Sequence, residues 1–416
     1  MAGKLSKNKT AQLRRSLERL YHGRFDEHAE IVSTYSGYGK SLSLDLGAYR
    51  FMREAIEILQ SVDAWKAAYP PKALGDRIAW SMMQTNTLDD AVVRLLAELA
   101  SDTKEFIAYA PIFGFNLVDG ARMTFGKCIL EAIGEQRVES EIIDRLRQHA
   151  ANLDEKSRSG EIERIRKLLE THKNVPILLV PFYGSMVGAF HTVEPVAERV
   201  AAFVQFAIGM LTDENTHIID HTGRFTGEFS TYMPVLTPEF DELGFPNVRG
   251  IPYRQQLNRD RIARLEEIGV LNLAETFIQP QWTPEKSIDA MLCRAASCFA
   301  DGERAVTDLA KIVSYVSAVE VLFGKKDEAE ESFCLGLAVA SQSEREPFPL
   351  VYNVAKDIYE ERSLATHKGL SPTLQHLARR KAVEAILKVL SLRETVRHRN
   401  DLREWVAKGV EAAKPE

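Results

Sequence analysis

The sequence predicts an α+β protein that is predominantly α-helical, in which a mixed α/β N-terminal region is followed by a C-terminal α-helical bundle. Three observations support this fold class. Apolar residues recur at helical spacing in segments throughout the chain. Runs rich in β-branched or aromatic residues, which are typical of strands, concentrate between residues 104 and 280. After Pro280 and Pro284 only the helical spacing continues.

Length and composition indicate a globular protein with more than one domain. The 416 residues are 45% hydrophobic and 27% charged, which is enough apolar material for a sizeable core. We expect three segments, namely a helical N-terminal region at 1–103, an α+β domain at 104–280 and a helical domain at 281–416.

Charge and cysteine usage narrow the classes of function. A formal net charge of −6 gives no sign of nucleic-acid affinity over the whole chain, so an RNA site would have to be a local basic patch. No apolar run is long enough to span a membrane and no signal peptide is evident, which predicts a cytoplasmic protein. The cysteines form no Cys-x-x-Cys pair and are expected to be reduced core thiols: Cys128, Cys293, Cys298 and Cys334.

The N-terminal region is expected to be largely helical. Apolar spacing predicts one helix that contains Leu13, Leu17 and Leu20, and two more at 49–59 and 89–99. The run Gly37-Tyr38-Gly39-Lys40-Ser41 resembles a phosphate-binding loop, but Thr34 replaces the first glycine of that motif and no convincing strand precedes it. We interpret the run as a glycine-rich turn between helices.

The middle of the chain has a mixed pattern. It predicts strands at 106–117 and 175–182, a charged helix-like stretch at 135–172, a helix at 193–211 with Pro195 in its first turn, strand-like pieces at 217–236 and a helix at 258–277. On a helix, His217 and His221 would lie one turn apart as a metal-binding pair does. The segment is strand-like and offers no third ligand, so we expect surface histidines and no metal site.

The C-terminal region reads as a series of helices, predicted at 287–299, 305–323, 330–340, 348–368, 372–392 and 400–412. In the second of these, Glu320 shares an apolar stripe with four other residues: Leu309, Val313, Val316 and Phe323. Acidic side chains are rarely buried without a partner. Glu320 is therefore either at the exposed edge of the stripe or the buried partner of a cation.

The helix at 348–368 carries the main candidate site. Its apolar face is formed by Val351, Val354, Ala355, Ile358 and Ala365. Arg362 interrupts this face, and a guanidinium on a buried face requires a partner, for which Glu320 is the candidate. Gly369 predicts that the helix ends at Lys368, so His367 lies in the last turn, where its ring can turn toward a cleft. Ser371-Pro372 then predict the N-cap and first position of the next helix.

Arg362 and His367, with four residues between them, are preceded by Ile358-Tyr359-Glu360-Glu361 and followed by Lys368-Gly369. This arrangement resembles the R-x(4–6)-H motif of HEPN domains, and most of all the ApeA-like HEPN branch of prokaryotic antiviral systems. The resemblance covers about residues 285–410. Two features depart from the family pattern: Lys368 separates the histidine from the glycine, and Ser363 stands where Asn, Asp or His is more typical.

The resemblance implies a metal-independent endoribonuclease that needs no cofactor. In such enzymes the ribose 2′-hydroxyl attacks the phosphate and the product carries a cyclic phosphate. His367 would move the proton, because its pKa lies near neutrality, and Arg362 would stabilise the charge of the transition state. Ser363 would bond a phosphate oxygen and Glu320 would orient Arg362. The two residues expected to contact the RNA backbone are Thr366 and Lys368.

The resemblance also implies partners and a biological context. Two motifs from two protomers face each other in this family, so we expect a homodimer through the C-terminal HEPN domain. The substrate would be RNA, such as tRNA or another host or phage RNA. The upstream residues would sense a phage-derived trigger and restrain the nuclease, as abortive infection requires.

Two other interpretations stay open. The domain could be a catalytically inactive HEPN dimerisation module, in which Arg362 holds the bundle together through Glu320 and His367 caps a carbonyl. It could also be a nucleotide-binding regulatory module. Arg–His pairs at permitted spacings occur elsewhere in charged segments that we expect to be solvated: Arg15 and His22, Arg166 and His172, and Arg393 and His398.

Overall fold

The computed structural model describes residues 5–22, 33–37, 40–69, 71–101, 104–132, 159–160, 163, 176–184, 186–212, 218–219, 255–279 and 287–413. The chain divides into two compact units. The first comprises Met1–Tyr109, Val180–Pro195 and Met233–Leu243, and the second comprises Ala110–Leu179, Val196–Tyr232 and Gly244–Glu416. The architecture of the described residues is α+β and predominantly α-helical, as predicted.

The first unit contains a small helical core. Its helices are α1 (Lys7–His22), α2 (Leu46–Gln60), α3 (Asp63–Ala68), α4 (Pro71–Met83) and α5 (Leu88–Ser101). Helix α2 begins where the Asp45 carboxylate accepts a hydrogen bond from the Ala48 N–H at 2.7 Å, which satisfies one of the free donors of the first turn. The buried faces of these helices share one apolar cluster that includes Leu13, Leu17, Met52, Leu59, Trp65, Leu74, Ile78 and Leu95.

A β-hairpin interrupts these helices where the sequence predicted a turn between helices. Strands β1 (Ser33–Gly37) and β2 (Lys40–Leu44) pair antiparallel, with Gly37 opposite Lys40. The predicted turn between helices is therefore wrong, because strands flank it on both sides. Lys40 and Ser41 begin a strand and not a helix, so this segment provides no helix N-terminus of the kind that a phosphate-binding loop requires.

The strands of the middle region form two small sheets. They are β3 (Lys104–Pro111), β4 (Asn116–Leu117), β5 (Arg122–Phe125), β6 (Cys128–Ala132), β7 (Pro176–Gly184) and β8 (Gln256–Leu257). The larger sheet has the strand order β3-β7-β6-β5, and the smaller one pairs β4 with β8 in parallel. Strands β5 and β6 form a tight hairpin in which Gly126 has a φ of 58°, a conformation that glycine adopts without strain. The predicted strand at 175–182 is thus confirmed as β7, and the predicted strand at 106–117 is split between β3 and β4.

Helix α6 (Met186–Leu211) is longer than the sequence predicted. The expectation that it begins at Val193 with Pro195 in its first turn is wrong, since Pro195 lies inside the helix. Proline removes one backbone hydrogen bond there, and the helix continues past it. In the second unit, Phe203 of α6 packs edge-on against Phe125 of β5, and Phe206 of α6 packs against Phe299 of the helical bundle. These contacts fix the C-terminal half of α6 to the sheet and to the bundle.

The segment predicted as one helix at 258–277 consists of three pieces. Helix α7 (Arg259–Glu267) is capped by Asn258, a 3₁₀ turn follows at Val270–Leu273, and helix α8 covers Ala274–Phe277. Gly269, with a φ of 80°, ends the first piece because the left-handed conformation cannot continue an α-helix. The predicted helix-like stretch at 135–172 and strand-like pieces at 217–236 lie almost wholly outside the described residues.

The helical bundle consists of α9 (Ile288–Arg304), α10 (Asp308–Phe323), α11 (Ala329–Ser341), α12 (Phe348–Lys368), α13 (Gln375–Ser391) and α14 (Arg399–Ala412). Ser287 and Thr307 cap α9 and α10 by accepting hydrogen bonds from backbone N–H groups. Helix α12 ends as predicted, with Gly369 at a φ of 66° just past Lys368. Gly336 allows α11 to contact α10 closely, because a Cβ there would lie 2.5 Å from the Phe323 Cβ.

Helix α13 begins at Gln375, so the prediction that Ser371 and Pro372 start it is wrong. A side chain from the preceding helix provides the cap instead. The Glu361 carboxylate of α12 accepts hydrogen bonds from the Thr373 N–H at 2.8 Å and from the Leu374 N–H at 2.7 Å. A negative charge at this position is favourable because it faces the positive end of the α13 dipole. In the part of the chain that the structure describes, no helix is both long enough and apolar enough to cross a membrane.

Candidate functional site

Arg362 of α12 and Glu320 of α10 are brought together in the helical bundle. The Arg362 Nη2 lies 3.6 Å from the Glu320 Oε2, with side chains that are 26% and 23% exposed. The predicted pairing of these two residues is confirmed, although the pair is half-buried and opens to solvent on one side. Glu320 lies at the edge of the buried face of α10, since its side chain is partly exposed whereas Tyr315 and Val319 of the same helix are buried. Leu309, which the predicted apolar stripe included, is exposed.

Tyr359, one turn before Arg362, completes the arrangement. The Arg362 guanidinium carbon lies 5.7 Å from the centre of the Tyr359 ring, within the range of a cation–π contact. The ring in turn packs against Phe333 of α11 at 5.3 Å between ring centres. Burial raises the pKa of the Tyr359 hydroxyl, and the negative charge of Glu320 and a hydrogen bond to it raise the pKa further. Tyr359 thus contacts both members of the ion pair, the Arg362 guanidinium through its ring and Glu320 through its hydroxyl.

Within the described part of the chain, the Arg362 side chain donates no hydrogen bond. The distance of 3.6 Å to Glu320 permits charge attraction but exceeds a hydrogen bond. The Arg362 Nε is buried and has no hydrogen-bond partner. Within the described residues, the guanidinium is therefore held by charge and by the aromatic ring, and its outer nitrogens remain able to donate.

His367 and the residues around it face solvent. His367, Thr366 and Lys368 are exposed, and Ser363 is half-buried. The Thr366 hydroxyl donates a hydrogen bond of 2.8 Å back to the Arg362 carbonyl, which leaves its lone pairs and not its proton for a ligand. His367 makes no hydrogen bond to the described residues, so it does not cap a carbonyl.

Arg362 and His367 point in different directions from one helix. Residues five apart on an α-helix project about 140° from each other. Helix α12 is regular as far as Lys368, so no unwinding of its last turn brings the two side chains together. One side chain packs against α10 and the other is exposed, as this geometry requires.

The other Arg–His pairs do not form comparable sites. Arg393 is held by Asp289, with an Nη2–Oδ2 distance of 2.7 Å. His398 is the N-cap residue of α14 and takes part in a capping box with Asp401. Arg15 is exposed on α1, whereas the side chain of His22 and both residues at 166 and 172 lie outside the described residues.

A second arginine with a buried partner was missed by the sequence analysis. Arg379 of α13 and Glu303 of α9 form an ion pair whose side chains are only 8% and 1% exposed. The Arg379 Nε and Nη2 donate to the two Glu303 oxygens at 2.7 and 3.1 Å, and the Tyr315 hydroxyl donates to the same carboxylate at 2.7 Å. Burial, together with the charge of Glu303, raises the pKa of Tyr315 far above its usual range, so the hydroxyl stays a donor.

Arg379 also binds the end of α6. Its Nη2 donates to the Gly209 carbonyl at 3.0 Å and to the Thr212 carbonyl at 2.9 Å. Gly209 lies in the last turn of α6 and Thr212 directly follows the helix, so neither carbonyl has a partner within the helix. A sequence signal existed, since Arg379 is spaced with Ala382 and Ile386 on the apolar stripe of α13, as Arg362 is on α12.

Lys381 is a further buried cation of α13. Its Nζ lies 2.5 Å from Glu346 and 2.7 Å from Glu384, and Arg380 lies 2.8 Å from the same Glu346. The hydrogen bond from Lys381 is the main reason that the pKa of Glu346 lies below its ordinary value, and the charges of Lys381 and Arg380 add to it. The two carboxylates of this cluster thus pair with both of its cations.

Among the described residues, neither the cysteines nor the side chains that could bind a metal ion indicate a second reactive site. Cys128, Cys293 and Cys334 are buried free thiols, as predicted, and Cys298 is half-buried. Burial raises the pKa of Cys128 and Cys334 to about 11 and that of Cys293 to about 12, so these thiols are protonated at neutral pH. Among the described residues, no group of three or more His, Cys, Asp or Glu side chains could hold a metal ion. His217 and His221 lie outside those residues.

No protein-family model matches the chain, and no curated protein or solved structure matches it either. A function for this protein therefore has to rest on its own residues.

Proposed function

We propose that the protein is a metal-independent endoribonuclease of the HEPN type that acts in prokaryotic antiviral defence by abortive infection. Arg362 and His367 carry the reaction, and RNA is the substrate. The proposal rests on the residue pattern around these two positions and on the partial exposure and hydrogen bonding of the Arg362 side chain.

The observation that carries the proposal is the difference between Arg362 and Arg379, the two arginines that lie on apolar stripes of the bundle and have acidic partners. Arg379 uses its donors on Glu303 and on backbone carbonyls and is almost completely buried. Arg362 is partly exposed and forms no side-chain hydrogen bond to the described residues, so its terminal nitrogens, unlike its buried Nε, keep donors for a ligand. A guanidinium that is oriented but has free donors suits a phosphate, which accepts hydrogen bonds from a planar fork.

The proposed chemistry requires one proton carrier and one fixed cation. The 2′-oxygen of a ribose attacks the adjacent phosphorus as His367 of one protomer removes its proton. The bond from phosphorus to the 5′-oxygen of the next nucleotide breaks, and that oxygen takes up a proton. The products are a 2′,3′-cyclic phosphate and a 5′-hydroxyl, and no oxidant, metal or cofactor is consumed. Arg362 stabilises the additional negative charge on the phosphate oxygens in the transition state.

Three neighbouring side chains fit a role in holding the strand. Ser363 follows Arg362 and is half-buried, so its hydroxyl can bond a phosphate oxygen next to the guanidinium. Lys368 is exposed next to His367 and can contact a phosphate of the RNA backbone. Thr366 is exposed on the other side of His367, and because its proton is donated to the Arg362 carbonyl, its oxygen can accept a hydrogen bond from a ribose 2′-hydroxyl. Glu320 acts through Arg362 as a positioning residue.

The site requires two protomers. Because α12 directs Arg362 and His367 about 140° apart, one helix cannot aim both groups at a single phosphate. In a homodimer with α12 near its two-fold axis, each protomer contributes groups to a shared cleft. The upstream residues then sense a phage-derived trigger and restrain the nuclease, because unrestrained RNA cleavage would kill the host. This activity places the protein in the cytoplasm.

A second candidate function is a catalytically inactive dimerisation module. The proximity of Glu320 favours it, because a carboxylate beside Arg362 competes with a phosphate for the same guanidinium. Stable dimers without RNA cleavage under any condition would support this function.

The test is the sequencing of RNA ends after induced expression of the wild type and of His367→Ala. We expect new ends with cyclic phosphates in the wild type and none in the variant. Total RNA incubated with purified protein should be cut with and without a chelator, and a 2′-deoxy substitution at the cut site should block cleavage. His376→Ala is the matched control, since His376 is an exposed histidine on the next helix. Identical RNA ends in the wild type and His367→Ala would overturn the proposal.

A further inference from the structure

A cavity of about 370 Å³ opens between α11, α13 and α14, and its lining combines an indole, two ammonium groups and an amide. These groups belong to Trp405 and Lys408 of α14, Lys388 of α13 and Gln342 at the end of α11. The volume lies in the range of small-molecule sites in proteins.

The aromatic ring and the positive charge are held next to each other. The Lys388 Nζ lies 5.8 Å from the centre of the Trp405 ring system, which is a cation–π distance. The indole is half-buried, whereas Lys388 and Lys408 are exposed at the opening. An apolar plane and an exposed ammonium group thus line the same cavity.

Among the residues that the structure describes, the two ammonium groups have no acidic partner. No carboxylate lines the cavity, and neither Lys388 nor Lys408 forms an ion pair with any described residue. The other arginine and lysine residues of α13 differ from Lys388, since Arg379, Arg380 and Lys381 each contact a glutamate. In an acidic protein, two unpaired lysines beside an indole make a local site for an anion.

The floor of the cavity is preformed. A Cβ on Gly409 would lie 2.4 Å from the Val339 Cγ1, so α14 and α11 are in direct contact there because position 409 is glycine. Val339 and Ala340 are buried and give this floor an apolar surface. Ligand binding therefore requires only side-chain movement of the lysines at the opening.

We propose that this cavity binds a nucleotide. The base stacks on Trp405, Gln342 donates to and accepts from the edge of the base, and Lys388 and Lys408 bind the phosphate. Stacking on an aromatic ring is tolerant of base identity, and lysine is suited to phosphate as a point charge. The inference goes beyond the proposed function, because it does not depend on RNA cleavage. The nucleotide can be free or can be one unit of a single-stranded RNA.

The experiment measures binding to the full-length protein by calorimetry with adenosine monophosphate and with a short single-stranded RNA. The His367→Ala background is used for RNA so that the strand stays intact. Binding of the mononucleotide identifies a free nucleotide as a ligand, and binding of the RNA alone identifies a strand. Photocrosslinking with an azido-substituted adenosine monophosphate or RNA should place the label on α11 or α14.

The variants test the individual contacts. Trp405→Ala should weaken binding by about tenfold or more, the range found when a base loses its stacking partner. Lys388→Gln with Lys408→Gln should weaken it further and reduce its salt dependence. Lys326→Gln, an exposed lysine outside the cavity, is the control and should leave the affinity unchanged. Absence of binding by both ligands, or equal affinity in Trp405→Ala, would overturn the inference, and neither result bears on RNA cleavage.

Discussion

Arg379 contacts Glu303 through two nitrogen–oxygen pairs, at 2.7 and 3.1 Å, in the interior of the helical bundle. Tyr315 donates a further hydrogen bond to the Glu303 carboxylate, and Arg379 donates further hydrogen bonds at the end of α6. Such a pair is structural, and removal of one member leaves the other charged and buried.

We therefore expect Arg379→Met to lower the free energy of unfolding by about 3–5 kcal/mol, the usual effect of leaving a buried charge alone. The double variant Arg379→Met, Glu303→Leu should be more stable than Arg379→Met, because it removes both charges. Urea denaturation monitored by circular dichroism gives the comparison. Arg380→Met is the matched control, and its exposed ion pair predicts a loss of about 1 kcal/mol or less. A double variant less stable than either single variant would contradict this account.

Glu320 should influence both stability and RNA cleavage. Since the pair with Arg362 is half-buried, we expect Glu320→Ala to destabilise the protein by about 1–2 kcal/mol, between the values for exposed and buried pairs. If Glu320 positions Arg362, Glu320→Ala should lower kcat more than it raises KM, and Glu320→Asp should recover part of the activity. Steady-state cleavage of a defined RNA separates the two constants. Wild-type kcat in Glu320→Ala would exclude the positioning role.

A composite site can be tested by complementation. Arg362→Ala and His367→Ala should each be inactive, with losses on the order of 10²–10⁴ in rate. After subunit exchange at equal concentrations, mixed dimers contain one intact Arg362 and one intact His367 in a shared cleft. Activity should recover to about one quarter of the wild type, given random exchange and one working combination in half of the dimers.

The converse mixture provides the control for this experiment. Excess of the double variant Arg362→Ala, His367→Ala should depress wild-type activity beyond dilution, because mixed dimers then lack one group at each combination. Activity strictly proportional to the wild-type protein, after exchange is demonstrated by labelled subunits, would mean that each protomer works alone.

Because Glu346 is paired with Lys381 and Arg380, we expect part of the free energy of unfolding to depend on pH. Lys381 and Arg380 hold the pKa of Glu346 below its unfolded value of about 4.5. The stabilisation that the ionised Glu346 gives the folded state is therefore fully present above pH 4.5. It is lost as the pH falls through the lower pKa of the folded state. The difference in unfolding midpoint between the wild type and Glu346→Gln should be largest at pH 7 and should shrink toward pH 3. Glu344→Gln, an exposed neighbour, should show little difference at any pH, and a Glu346 difference that grows in acid would refute this linkage.

The sequence was informative wherever a local pattern determines local structure. The ends of α12 followed from apolar spacing and from Gly369, and the pairing of Arg362 with Glu320 followed from opposite charges on two apolar stripes. The start of α13 could not be obtained in this way, because its cap is Glu361 of another helix. Pro195 was placed in the first turn because proline is tolerated there, but α6 begins nine residues earlier, at Met186.

Arg379 shows the limit of reading one helix at a time. The run Arg379-Arg380-Lys381 looks like a solvated charged face, yet two of its three side chains are buried. Arg379 and Lys381 can be buried because Glu303, Glu346 and the end of α6 pair with them. The spacing of residues within α13 does not reveal these partners. The criterion that selected Arg362, a cation on an apolar stripe, applies equally to Arg379, so that criterion alone does not separate a reactive arginine from a structural one.

The contact between Arg379 and the end of α6 has a consequence for biosynthesis. The Gly209 carbonyl leaves the ribosome 170 residues before the guanidinium that binds it. At ordinary elongation rates this interval lasts about 10–30 s. During that time the last turn of α6 lacks the arginine that binds it, and over the last 76 residues of the interval Glu303 lacks this cation as well. The nascent chain therefore exposes an incomplete polar centre until α13 emerges, which is a period in which a chaperone can hold it and in which premature termination yields a product that cannot close its interior.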